Sequence, residues 1–187
     1  DLLSGSNRCL DIFVRLSKEP APKVLSASGP MWKKNSREVD ERSHWTTASR
    51  LVVGVQYSPK FFKDFFDVVQ ARSKAGLTTL ALVLEPSGAA ARYLKESGTG
   101  TANVAEGVQE IERMAHEADA GRGYARVKKH DRVMRYSFIR TEREIWVKFF
   151  TNAAHRTIVP AVKIRRDSDL YDFFEEDIRQ LELASHD

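Results

Sequence analysis

The sequence predicts an α/β fold, one mixed β-sheet flanked by helices on both faces, and three features predict it. Residues 50–57 (RLVVGVQY) and 77–84 (LTTLALVL) are near-continuous apolar runs, as expected of strands covered on both faces, and a stretch of helical spacing joins them. Residues 124–165 alternate apolar and polar types over several short runs rich in β-branched and aromatic residues, broken by His-Asp, Thr-Glu-Arg-Glu and Thr-Asn-Ala-Ala-His, which reads as consecutive strands. An amphipathic segment with Leu170, Tyr171, Phe173, Phe174, Ile178 and Leu181 turned inward then closes the pattern as a helix.

In chain order, 9–16 (CLDIFVRL) reads as a short strand, followed by an irregular connection punctuated by Pro20, Pro22, Gly29 and Pro30. Residues 35–44 are almost all polar, a short exposed helix or a loop, flanked by Trp32 and Trp45, which we read as packing anchors. After the first apolar run, Ser58 offers an N-cap hydroxyl and Pro59 a first helical position. Phe61, Phe62, Phe65, Phe66, Val68 and Val69 then recur at helical spacing up to a stop at Gly76. A helical crossover makes the two flanking strands parallel. Ser87 is the expected cap for 89–96, Asn103 for 104–118, and Asp167 or Ser168 for the last helix. In 132–140 one face carries Met134, Tyr136 and Phe138, and the other Val133, Arg135, Ser137 and Ile139.

At 187 residues the chain suits one domain, with 1–49 an irregular N-terminal extension holding one short strand and 50–182 the core. It begins with Asp1, so we expect a piece of a longer protein with further domains. No apolar run approaches membrane-spanning length, and a single cysteine, Cys9, fits a reducing, cytoplasmic setting as a small buried hydrophobe. The net charge of +4 permits an acidic partner without demanding one. Cations gather in or beside the strands of 124–165, from Arg126, Lys128, Lys129 and Arg132 through to Arg165 and Arg166, whereas acid gathers in the last helix. Such a basic margin is a footprint for phosphate, and equally the pattern of a solvated sheet face.

His44, His116, His130, His155 and His186 are scattered without ligand spacing, so no metal and no cofactor is expected. Gly98-Thr99-Gly100 lacks the Lys-Ser/Thr ending of a phosphate loop, and no Gly-x-Ser-x-Gly occurs.

The order strand, helix, strand, two helices, four strands and helix over 50–181 resembles one half of the phospholipase D-like superfamily. That superfamily's signature is His-x-Lys-x-x-x-x-Asp, six residues, then Gly-Ser-x-Asn. The resemblance sets Arg135 at the nucleophilic His, Ser137 at the Lys, Glu142 at the Asp and Phe149-Phe150 at the Gly-Ser, with Asn152 matching the Asn. Arginine stays protonated and has no lone pair to attack phosphorus, so the resemblance implies a degenerate site without catalytic residues. What it leaves is phosphate binding by Arg135, Ser137, Lys148 and Asn152, with Glu142 beside them. The alternative for Arg135 is a structural ion pair with Glu142 or Glu144.

The leading expectation is therefore a non-catalytic module for a phosphate-bearing ligand, nucleic acid or a nucleotide. Half-sites of this kind imply a homodimer or a second half elsewhere in the parent protein. The rivals are a nuclease or phosphodiesterase using His130 or His155, and an interaction domain presenting Phe61 to Phe66 or Phe173 and Phe174, which we instead assign to the core.

Overall fold

The computed structural model describes residues 24–27, 36–96, 103–149 and 161–187. The expected strand at 9–16, Cys9, Trp32, Asn152 and His155 lie outside them. Seven strands, β1 (Val24–Ala27), β2 (Arg50–Gly54), β3 (Thr78–Leu84), β4 (Ala125–His130), β5 (Tyr136–Arg140), β6 (Glu144–Phe149) and β7 (Ala161–Arg165), form one sheet in the order β1-β7-β6-β5-β2-β3-β4. β2, β3 and β4 are parallel, and the pairs β2–β5, β5–β6, β6–β7 and β1–β7 are antiparallel. The sheet is thus mixed, with the expected β2–helix–β3 unit inside it.

The helices are α1 (Ser36–Thr47), α2 (Lys60–Asp64), α3 (Phe66–Lys74), α4 (Ala89–Glu96), α5 (Val104–Asp119) and α6 (Asp169–Leu183). The polar stretch before Trp45 resolves to the helix α1. The single helix expected after Pro59 is instead two, because Phe65 leaves helical geometry at φ −130°, ψ 29°. That kink sends Phe61, Phe62 and Phe65 into one aromatic cluster with Trp45, which is only 1% exposed.

Alternation along the strands divides the core. Leu51, Val53, Ala81, Val83, Ile139 and Trp146 face α1, α2, α3 and α5, whereas Val52, Leu80, Leu82, Phe138, Val147 and Ile164 face α6. Met134 and Phe138 lie on the α6 side as expected, with Tyr136 packed against them and Ile139 on the other. The β2 backbone must come close to Phe138: a Cβ on Gly54 would stand 2.0 Å from Phe138 Cε1. Phe173, expected inward, is 63% exposed. The inward stripe of α6 is already filled by Tyr171, Phe174, Ile178 and Leu181, and a residue one position before Phe174 is turned about 100° away.

Capping follows the sequence at two helices and departs from it at two: the N-cap of α2 is Pro59, without a side-chain cap bond, where the sequence points to Ser58 as cap and Pro59 as first helical residue. Asn103 Oδ1 accepts from Ala105 N and Glu106 N at the start of α5, and Ser168 Oγ accepts from Leu170 N at the start of α6. Ser87 does not cap α4; its hydroxyl donates to Glu85. The N-terminus of α4 is taken by Asp131, which accepts from Ala89 N at 2.9 Å and Ala90 N at 2.7 Å. β4 is a margin of the sheet, and His186 pairs with it at Lys129, with backbone bonds of 2.8 and 2.9 Å.

Candidate functional site

In a partly parallel sheet, ligands settle beyond the carboxyl ends of the strands where the strand order reverses. Here the chain builds β2, β3 and β4 outward in one direction and returns to the other side of β2 as β5, so the reversal falls between β2 and β5. The segment 131–135, linking β4 to β5, lies at that end of the sheet. It carries Arg132 and Arg135, both exposed, and among the described residues no carboxylate stands within ion-pair distance of either.

Three contacts hold this segment. Asp131 is anchored on the amides of α4, which keep its carboxyl below the ordinary range. Gln56, just past β2, donates its side-chain amide to the Met134 carbonyl at 3.0 Å. His130 Nδ1 accepts from Arg132 N at 3.3 Å, which places the ring proton on Nε2, an atom with no hydrogen-bond partner among the described residues. The His130 side chain is 0% exposed, and burial lowers its pKa to about 4. It is a neutral ring inside the protein.

Ser137 and Lys148 face each other in the β5–β6 register one step from the open end of that hairpin. Ser137 is buried and its hydroxyl points to the Lys148 carbonyl at 3.5 Å, while the Lys148 side chain is half-buried. Arg135 enters β5 immediately before Tyr136. The structure thus brings Arg135, Ser137 and Lys148 to one end of the hairpin.

Glu142 is not there. It sits in the β5–β6 turn at the closed end, five residues from Ser137 and so roughly 16 Å along an extended strand. Its charge bears on Arg72, a 0% exposed guanidinium whose pKa burial pulls down to about 10 against the opposing pull of Glu142. Arg72 donates to the carbonyls of Trp45, Thr46, Ala48 and Thr78 and to Thr79 Oγ1, tying the ends of α1 and the start of β3 to α3. The alternative given for Arg135, a structural ion pair, is not found: it meets neither Glu142 nor Glu144, and Glu144 instead pairs with Lys163 at 2.8 Å.

The basic margin read from the sequence is largely neutralised. Lys129 pairs with Glu112 at 2.7 Å, Arg140 with Glu175 and Glu182, and Arg165 with Asp167 at 3.7 Å, while Lys163 lies over the Trp146 ring at 4.8 Å. Arg132 and Arg135 escape this pairing. The first was read from the sequence only as part of the basic margin and not as a site residue, though its place in the break after the third parallel strand would have marked it. Among the described residues no three His, Cys, Asp or Glu side chains are grouped to share a metal, and no helix is long and apolar enough to cross a membrane.

No protein-family model matches the chain, and no curated protein matches it by sequence. Solved structures with a similar fold include TrmBL2, an archaeal chromatin protein that shows a novel mode of DNA binding, at 14% identity and TM-score 0.49 over 97% of this chain. They also include Nuc from Salmonella typhimurium, a phospholipase D family member, at 16% identity and TM-score 0.48 over 89% of this chain and 97% of that one. A third is polyphosphate kinase from Porphyromonas gingivalis, at 9% identity and TM-score 0.48 over 90% of this chain and 28% of that one. The chain spans 60% of the length of TrmBL2. Each likeness is one of fold alone.

Proposed function

We propose that this chain is a non-catalytic module that holds a phosphate-bearing ligand, nucleic acid or a nucleotide, at the carboxyl end of β2 and the open end of the β5–β6 hairpin. The observation that carries the reading is the pair Arg132 and Arg135, exposed in the segment between β4 and β5 and left without carboxylates among the described residues, where most other sheet cations are paired. Arg135 offers a planar fork to phosphate oxygens, and Lys148 a point charge beside Ser137. Asn152 completes the donor set in our reading, whereas Glu142 acts at the far end of the hairpin and does not touch the ligand. His130 is buried and neutral, which supports holding a phosphate over attacking one. The module works in the cytoplasm as part of a larger protein or as a homodimer; light scattering that finds only monomer at high concentration would remove the homodimer.

The test is fluorescence anisotropy with DNA, RNA and a nucleotide over a salt series, beside a cleavage assay on single- and double-stranded substrates. Affinity is expected to fall with salt as counterions are released, without cleavage. Arg135→Ala is expected to weaken binding by roughly 1.5–3 kcal/mol, the value of a charged hydrogen bond in a sheltered site. Salt-independent binding, or turnover lost in His130→Ala or His155→Ala, would overturn the reading.

A further inference from the structure

The open end of the β5–β6 hairpin has two unlike sides. Tyr136 and Phe149 are paired across it, and their neighbours Ser137 and Lys148 are paired one step in, so alternation turns Lys148 away from α6 and Phe149 toward it. On the α6 side the rings of Tyr136, Phe149, Phe173 and Phe174 form a contiguous group. Tyr136 and Phe174 are 5.2 Å apart, Phe149 and Phe174 6.5 Å, and Phe173 and Phe174 5.2 Å. Phe174 is buried, but Phe149 is 42% and Phe173 63% exposed. Two large apolar rings thus face water next to the cations at the strand-order reversal.

We infer that Phe149 and Phe173 form a stacking surface for unpaired bases, and that the ligand of this module is single-stranded nucleic acid. The inference rests on the phosphate-binding reading above and names its ligand class. A nucleotide unit carries its charge on one side and a flat apolar ring on the other. The hairpin end offers the matching arrangement, with Lys148 on the face away from α6, Arg135 just before the strand, and the rings on the α6 face. The charges of α6 support the same choice. Asp177 is engaged by the Tyr136 hydroxyl and Glu176 by Arg179, but Asp169 and Asp172 are exposed on the helix that carries Phe173. These carboxylates repel phosphate from the aromatic side and leave it to bases. A duplex carries phosphates along both flanks and sets one of them against α6. A single strand lays its backbone along Arg135 and Lys148 alone.

The experiment compares three labelled probes on the whole chain by anisotropy: an oligothymidylate, the abasic deoxyribose-phosphate chain of the same length, and a duplex. The oligothymidylate is expected to bind tightest. Phe149→Ala should weaken it about tenfold, a typical loss for one stacked base, while binding of the abasic chain stays unchanged. Phe149→Trp should restore affinity, and Phe173→Ser, a second exposed position, should give a smaller loss of the same kind. The salt slope should be the same in all three variants, because no phosphate contact is removed. Equal binding of abasic and thymidylate chains, or no loss in Phe149→Ala and Phe173→Ser while Arg135→Ala still weakens binding, would overturn the stacking surface and leave the phosphate site standing. Binding of none of the probes would overturn both.

Discussion

The two ends of the β5–β6 hairpin each place an arginine beside the sheet, and they treat it in opposite ways. At the closed end Arg72 is wholly buried and its guanidinium is spent on four carbonyls and a hydroxyl, with Glu142 nearby. At the open end Arg135 stands in water and no described carboxylate claims it. The same side chain is a clamp in one place and an open hand in the other. What separates them is how many acceptors the fold itself supplies.

Removing the clamp should have the largest effect. Arg72→Ala leaves buried carbonyls without donors and should cost roughly 3–5 kcal/mol in urea unfolding, with Arg72→Lys a poor rescue because one ammonium cannot reach the same acceptors. If Arg72→Ala unfolds like the parent, the closed end is not a structural clamp.

Acid should produce the next largest effect, and it acts at the open end. The His130 ring is neutral in the fold down to about pH 4, while in the unfolded chain it takes up a proton near its ordinary value of about 6.5. Between those values the unfolded state binds more protons. Stability present above pH 6.5 is therefore lost as pH falls toward 4, by roughly 3 kcal/mol. Unfolding measured over this range in the parent and in His130→Gln should show the steeper slope in the parent, above the shared loss from carboxyls held low in the fold. Asp119 adds a second loss at lower pH. Burial works to raise its pKa, but bonds from Ser73 and the amides of Ala125, Gly123 and Tyr124 prevail and hold it at about 2.

A smaller loss is expected at the cap of α4. A Cβ on Gly88 would stand 2.3 Å from Asp131 Oδ1, so Gly88→Ala should dislodge the carboxylate from the α4 amides. The cost is about 1 kcal/mol, read as a lowered melting temperature. The smallest expected effect is the most telling: Arg135→Ala should change unfolding by less than about 0.5 kcal/mol while weakening the phosphate ligand. A large stability loss would mean that Arg135 is structural after all.

The sequence made the sheet readable because its central strands are covered on both faces, so Leu51 to Val53 and Leu80 to Leu84 stand out as apolar runs. Alternation in 134–139 was equally plain, since period two fixes the face of each residue. What stayed hidden depends on distant parts of the chain. Asp131 caps a helix 41 residues earlier, and no local signal distinguishes it from Ser87, which lies next to that helix. Of the candidate site, Arg135, Ser137 and Lys148 were legible because a hairpin brings them into register. Glu142 was misplaced because a short sequence interval, drawn out as strand and turn, carries a residue to the opposite end. Phe173 was read as core from the amphipathic spacing of the last helix, and only the filled stripe of α6 shows why it faces out.

The pairing of His186 with Lys129 bears on how the protein behaves when concentrated. A strand at a sheet margin exposes unpaired amides and carbonyls that another chain can adopt as a template. β4 carries Arg126, Lys128 and Lys129, whose charges oppose such stacking, and the His186 backbone takes up the donor and acceptor at Lys129. We expect the segment after α6 to guard this margin against fibre-like self-association. Its loss would show first as aggregation on heating, ahead of any change in the fold or in ligand binding.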